Sequence, residues 1–186
     1  DFYEFDLKTV TEYRKKILAS PIKDGKAVLE ELIGQRKEEA EDDDMDWEEV
    51  LGEMEGGYDN CRFSSYWSSD NNMTYPLILA KIPVKNPWEI FAYLPFGGWN
   101  ECPDTVELMA AAKYWFEQYG AMPAAISHDE LEFLLPVPVF KEKAMEVAKE
   151  QYGFCPDVVD QEQDDPTVGN LADVLWQSTV WYFWWD

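Results

Sequence analysis

The hydrophobic residues near the start of the chain recur at helical spacing. Val10, Tyr13 and Ile17 fall on one side of a helix. The apolar residues of positions 28–33 repeat this spacing, and positions 38–49 are almost wholly acidic. Helices with one apolar side need a surface to cover. We therefore predict that residues 1–60 form an acidic helical extension packed on the rest of the chain.

From Cys61 onward the pattern changes to short apolar runs of the kind found in strands. Residues 62–67 are rich in residues that favour β-structure, and residues 75–82 form an apolar run that predicts a strand. The polar residues 68–72 between these two runs predict a turn. The chain is thus expected to switch from helices to a sheet at this point.

Helix signals follow this predicted strand. An Asn-Pro pair at 86–87 predicts a short helix, because proline is favoured at the first helical position. Asp104 and Glu107 have the spacing of a capping box, and Gly120 is suited to end the helix that they begin. A helix between these signals is therefore expected.

The last third of the chain alternates strands and helices. Strands are predicted at 121–127, 131–135 and 179–185, and helices at 140–153 and 168–177. From residue 75 the order is strand, helix, strand, strand, helix, strand, which is typical of a ferredoxin-like split βαβ sandwich. We therefore predict an α+β core domain over residues 61–186, with a mainly antiparallel sheet and its helices on one face.

The final predicted strand is apolar on both of its faces. Trp181, Phe183 and Trp185 point to one side, and the alternate residues, also apolar, point to the other. Such a strand at a solvent-exposed edge would invite aggregation. We therefore predict that it is buried within the sheet.

The composition is that of an acidic protein with enough apolar surface to fold. With 186 residues, 46% of them hydrophobic, the chain can bury one sizeable core. A net charge of −23 opposes phosphate binding, so we expect neither nucleic acid nor a membrane as a partner. No apolar run approaches the roughly 20 residues of a membrane helix, and the three widely spaced cysteines indicate reduced thiols. We expect a cytoplasmic monomer or homodimer whose charge favours a basic protein partner.

Four segments of the chain are distinctive. They are PFGGWNECPD (95–104), SHD (127–129), FCPDVVDQ (154–161) and VWYFWWD (180–186). Together they resemble a bacterial family catalogued as domain of unknown function 4253, and the resemblance covers about residues 75–186. Residues 162–166 depart from the usual pattern, with an acidic loop in place of a shorter glycine-containing turn. The resemblance implies no activity, cofactor or catalytic residue, so function has to be argued from the side chains.

Two Cys-Pro-Asp triplets, which begin at Cys102 and Cys155, are the clearest candidates for chemistry. Their thiolates and the imidazole of His128 are legitimate zinc ligands. In a nucleophilic alternative, His128 would deprotonate one thiol while Asp129 or Asp157 orients the imidazole. No local spacing preorganises two ligands, and a cysteine is often simply a small buried residue. We therefore assign no metal, cofactor or catalytic residue, and keep a metal- or cysteine-dependent enzyme as the alternative function.

The tryptophans are open to three interpretations: core residues, a sugar-stacking platform, or anchors for a protein partner. Core is the default. Trp67, Trp88 and Trp99 lie near predicted turns or loops, however, and Asn100 adjoins the last of them. Aromatic anchors are typical of protein interfaces. We therefore expect a non-enzymatic, acidic protein-binding module, for which a toxin-neutralising immunity protein is one example.

Overall fold

The computed structural model describes residues 6–68, 72–161 and 166–186. Residues 1–5 of the predicted extension, residues 69–71 of the predicted turn and residues 162–165 of the predicted acidic loop lie outside the described residues. The helices are α1 (Leu7–Ala19), α2 (Gly25–Asp42), α3 (Trp47–Leu51), α4 (Ile90–Tyr93), α5 (Thr105–Tyr119), α6 (Lys141–Phe154), α7 (Asp157–Asp160) and α8 (Val168–Leu175), with a 3-10 turn (Pro87–Glu89) before α4. The strands are β1 (Trp67–Ser68), β2 (Met73–Thr74), β3 (Met122–Ile126), β4 (Glu130–Leu134) and β5 (Val180–Trp184). The predicted α+β class is confirmed.

Strands β3, β4 and β5 form an antiparallel sheet in which β4 lies in the middle. Leu131 pairs with Phe183 and Phe133 pairs with Trp181 across β4 and β5. Because residues directly opposite each other in a sheet share a face, this register gathers large apolar side chains on one side. Strands β1 and β2 form a separate two-stranded hairpin.

The predicted strand at residues 75–82 is wrong, since this stretch has no regular secondary structure. In a ferredoxin-like sheet a strand from this region would lie between the hairpin β3–β4 and the last strand. Here β5 pairs directly with β4, and the sheet of the described residues has three strands. The ferredoxin-like arrangement is therefore not confirmed.

The last strand, β5, lies at one edge of the sheet rather than within it, so that part of the prediction is wrong. Its burial is confirmed, because Trp181 and Phe183 are both almost completely buried. The backbone carbonyl of Asn60 accepts hydrogen bonds from the amides of Thr179 and Val180, at 3.1 and 3.0 Å. A neighbouring segment of the same chain thus covers the start of this edge, which protects it from pairing with another chain.

Helix α5 begins and ends as its sequence predicts. The Asp104 side chain accepts hydrogen bonds from the amides of Val106 and Glu107, and the Glu107 carboxylate accepts one from the Asp104 amide. At the other end Gly120 has φ 71°, a left-handed conformation that favours glycine. Both ends of the central helix are therefore set by local side-chain chemistry.

The core is an aromatic cluster centred on Trp115 of α5. Its ring lies parallel to that of Phe183 at 5.7 Å and meets Trp181, Phe154 and Phe133 edge-on at 5.5, 4.9 and 5.7 Å. These arrangements are the ones that aromatic quadrupoles favour. The sheet, α5 and α6 therefore pack together around the indole of Trp115.

The N-terminal helices pack on this core. Helix α2 buries Leu29, and the backbone of Gly25 approaches α5 so closely that a Cβ there would lie 2.1 Å from the Ala110 carbonyl oxygen. From α1, the Tyr13 hydroxyl donates to the Thr105 hydroxyl at 2.8 Å. The division into an extension and a core domain at residue 60 stays a prediction. Among the described residues, no helix has the length and apolar character needed to cross a bilayer.

Candidate functional site

The four distinctive segments of the sequence meet where β5 ends. The Trp185 amide donates to the Asp129 carbonyl at 3.1 Å, and the Asp186 amide donates to a carboxylate oxygen of Asp157 at 2.9 Å. The Asn100 side-chain amide donates to the backbone oxygen of Asp186. Hydrogen bonds to the backbone of Trp185 and Asp186 therefore hold together residues that are far apart in the chain.

Two of the predicted cysteines are buried beside this junction. Burial raises the pKa of the Cys102 thiol, and it raises that of Cys155 well above its ordinary value. The Cys155 thiol donates to the Trp184 carbonyl oxygen at 3.0 Å. A thiol that is buried and protonated is a poor nucleophile and a poor metal ligand. The geometry therefore favours a packing role for both cysteines.

His128 does not join these thiols. Its side chain is 89% exposed in the turn after β3, and its Nδ1 lies 2.9 Å from a carboxylate oxygen of Asp129. No hydrogen bond joins it to Cys102 or Cys155 in the described structure, and among the described residues no three His, Cys, Asp or Glu side chains could hold a metal ion. The predicted set is thus not assembled into a catalytic or metal centre here.

The predicted aromatic anchors do not form one surface. Trp67 is exposed on the β1–β2 hairpin, whereas Trp88 is buried and packs against Phe116 at 5.5 Å. Trp99 is half-buried and meets Trp185 edge-on at 6.2 Å. Its neighbour Asn100 has φ 45° and holds the end of the chain, as described above. Of the three tryptophans, Trp67 is the most exposed and Trp88 is buried. The assignment of these residues to a binding surface stays a prediction, and the burial of Trp88 does not favour a role for it as an anchor.

A short stretch at residues 75–79, here called the exposed apolar segment, stands out on the surface. Tyr75 and Leu77 are 54% and 63% exposed, and Ile78 and Leu79 are almost fully exposed. Residues 77–81 form no backbone hydrogen bond within the described part of the chain. Contiguous apolar surface of this kind typically marks a contact site. Sequence analysis missed it because the same residues have the composition of a buried strand.

A buried carboxylate on β4 anchors the segment before the hairpin. Glu132 is fully buried and accepts hydrogen bonds from the amides and hydroxyls of Ser64 and Ser65. An acceptor-only carboxylate matches four donors without an opposing cation. This carboxylate fixes residues 61–68 on the sheet and so positions Trp67.

A second buried carboxylate lies between α5 and α6. Burial raises the pKa of Glu150 to about 7, although hydrogen bonds from Trp115 Nε1 at 2.8 Å and the Tyr114 hydroxyl at 3.1 Å lower it. Both donors belong to helix α5, so this carboxyl ties the two central helices together. The arrangement is that of a structural hydrogen-bonded group with a perturbed pKa.

A cavity of about 380 Å³ lies against the outer face of β5. Tyr182 and Trp184 of β5, Gln151 of α6, Asp157 of α7 and Asn170 of α8 contribute to its wall. Its volume is at the lower end of the ~300–1,000 Å³ found for small-molecule pockets. The outer face of β5 thus faces this cavity.

Comparison with known proteins gives one match. The model of the family described as Domain of unknown function (DUF4253) matches residues 78–186, and the chain belongs to this family. The predicted membership of this family is therefore confirmed. No curated protein and no solved structure matches the chain.

Proposed function

We propose that this protein is a non-enzymatic binding module of the bacterial cytoplasm that captures a basic protein partner. The observation that carries the proposal is the exposed apolar segment, residues 75–79. Four large side chains there, Tyr75, Leu77, Ile78 and Leu79, are more exposed than buried. Large apolar side chains that are exposed next to one another are of the kind found at the centre of protein interfaces.

The backbone of this stretch supports the same proposal. Residues 77–81 have no backbone hydrogen bonds within the described structure, so their amides and carbonyls are available to a partner. An extended peptide with available backbone groups can add to the edge of another protein's sheet. The side chains would then supply affinity and the main chain would fix the register.

Charge supports a basic partner. No Asp or Glu occurs from residue 71 to residue 88, where Lys81 and Lys85 give a local charge of +2, so the rest of the protein carries a charge of −25. Interfaces are depleted in charge at their centre and polar at their rim. A partner with an apolar centre and basic surroundings would be steered by the long-range field and held by the exposed apolar segment. A toxin-neutralising immunity protein remains one example of such a module.

The alternative, a metal- or cysteine-dependent enzyme, stays a prediction that the geometry does not favour. Its residues Cys102 and Cys155 are buried with raised thiol pKa values, and His128 is exposed and bound to Asp129. No hydrogen bond among the described residues joins the thiol of Cys102 or Cys155 to the imidazole of His128. We therefore make no second proposal.

The test is capture of a partner from the source cell with two matched variants. Ile78→Ser with Leu79→Ser removes the most exposed side chains of the segment, and Phe140→Ser removes one that is 80% exposed elsewhere. Surface changes of this kind alter stability by only about 0.5 kcal/mol. We expect the wild type and Phe140→Ser to retain the same partner at low salt and the double variant to lose it.

Salt provides the control for the charge argument. At 1 M salt, where the Debye length is about 3 Å, association of a basic partner should be much slower than at low salt. If the double variant retains the same proteins as the wild type, the exposed apolar segment is not the interface. If binding is indifferent to salt, the partner is not chosen by its basic charge.

A further inference from the structure

The cavity beside β5 contains a buried polar group that has no partner. Gln151 is 1% exposed, and its side-chain nitrogen forms no hydrogen bond among the described residues. The same residue lines the cavity. Buried amide donors in folded proteins are nearly always paired. An unpaired donor at the wall of a cavity is therefore a group that a ligand would satisfy.

Two other polar side chains of the wall, those of Asn170 and Tyr182, are already engaged in hydrogen bonds. The Asn170 side chain donates to the Glu55 carbonyl at 2.8 Å and accepts from the Thr167 amide at 2.7 Å. The Tyr182 hydroxyl donates to Glu130 at 2.9 Å. The Gln151 carboxamide differs from these two because its nitrogen has no partner, as is also true of the indole Nε1 of Trp181, which lines the same cavity.

The charge of the wall restricts the ligand. Asp157 contributes a carboxylate to the wall of the cavity, and among the described residues that line it there is no Lys, Arg or His. That carboxylate accepts a hydrogen bond from the Asp186 amide. An anion in the cavity would therefore be repelled by the Asp157 carboxylate, and no cation would offset that repulsion. A neutral molecule would not be repelled.

The apolar part of the wall favours an aromatic or similarly flat body. Tyr182 and Trp184 project from the outer face of β5, and Leu171 and Val174 of α8 also line the cavity. Ligand pockets typically combine such apolar walls with a small number of polar groups that fix orientation. The 380 Å³ volume would accommodate a small molecule rather than a peptide.

We propose that this cavity is a binding site for a small neutral molecule with an aromatic body and a carbonyl oxygen, which accepts the free hydrogen bond of Gln151. The site is independent of the exposed apolar segment, with which it shares no residue. Two of the four distinctive segments of the sequence, residues 154–161 and 180–186, contribute Asp157 and Trp184 to its wall. The protein would thus bind a small ligand as well as a protein.

The test uses neutral aromatic amides and their matched carboxylates as probes. Benzamide and phenylacetamide, with benzoate and phenylacetate, are titrated into ¹⁵N-labelled full-length protein while the Gln151 side-chain and Trp184 indole signals are followed by NMR. We expect saturable shifts of both signals with an amide, at least about tenfold weaker binding of the matching carboxylate, and ligand–protein NOEs to Trp184. These NOEs locate the site without any substitution.

Substitution then tests the role of the amide. Gln151→Leu should weaken amide binding roughly five- to tenfold, as expected for the loss of one hydrogen bond. Gln118→Leu makes the same chemical change at an exposed position and should leave binding unchanged. The proposal is overturned if no amide gives saturable shifts, if the carboxylates bind as well as the amides, or if Gln151→Leu binds like the control.

Discussion

Replacing Phe183 by alanine tests the aromatic core most sharply. Phe183 is fully buried on β5, and its ring centroid lies 5.7 Å from that of Trp115 and 5.1 Å from that of Phe154. Truncation of such a phenylalanine costs about 3–5 kcal/mol, through lost burial and the cavity left behind. Against a net stability of about 5–15 kcal/mol for a typical domain, this is a large fraction. The variant should still fold but melt much earlier.

The loss of stability should appear as a lower melting temperature, Tm, and an exposed phenylalanine provides the control. For a chain of 150–250 residues, 1 kcal/mol moves Tm by about 2–4 °C, so Phe183→Ala should melt roughly 6–20 °C below the wild type. Phe140→Ala removes the same atoms from a side chain that is 80% exposed, and should move Tm by about 2 °C or less. Thermal melting followed by circular dichroism measures both. Equal melting temperatures for the two variants would refute the assignment of Phe183 to the core.

Three further predictions concern buried polar groups. Glu132→Ala should lower stability by about 3 kcal/mol in urea unfolding, since it leaves the donors of Ser64 and Ser65 without an acceptor; an unchanged midpoint would contradict this. Because burial raises the pKa of Glu150 to about 7, above its unfolded value near 4.5, that carboxyl destabilises the fold increasingly as pH rises from about 4.5 to 7. The free energy of unfolding of Glu150→Gln should therefore rise relative to that of the wild type, by up to about 3 kcal/mol, between pH 5 and 8. A difference between the two proteins that stays constant over this range would contradict the burial of the carboxyl. Gln151→Leu should raise Tm by about 2–4 °C, because it removes an unpaired buried donor, and a lower Tm would show that the amide is paired.

Elements governed by local chemistry were predictable from the sequence. The capping box of Asp104 with Glu107 and the left-handed Gly120 depend on neighbours within a few residues, so the bounds of α5 agree with the prediction. The hairpin β3–β4 and the strand β5 were likewise predicted within one or two residues. Burial of β5 followed from its apolar residues on both faces.

Features that depend on contacts between distant residues were not predictable. Residues 75–82 have strand composition, but a strand requires a partner, and β5 pairs with β4 instead. Trp88 follows the Asn-Pro pair that predicts a short helix, but the sequence does not show that its ring packs against Phe116 of α5. Neither contact can be predicted from the residues that are adjacent in the sequence.

One signal for the candidate ligand site was present in the sequence. Val147, Ala148 and Phe154 form an apolar stripe on α6, and Gln151 falls on the same stripe at helical spacing. A polar residue within a buried stripe must find a partner or face a cavity. Helices α6 and α8 and strand β5 come together to form that cavity. This arrangement could not be predicted from the spacing of residues along the sequence.

Hydrogen exchange at the exposed apolar segment tests the proposed binding function most directly. Deuterium uptake of the peptides spanning residues 75–82 is measured by mass spectrometry in the free protein and in its complex with the captured partner. Because residues 77–81 have no backbone hydrogen bonds within the described structure, uptake in the free protein should be near the rate of an unstructured chain. In the complex the same amides should become protected, while those of the surface around Phe140 should not change. Protection already present in the free protein, or no added protection in the complex, would contradict the account.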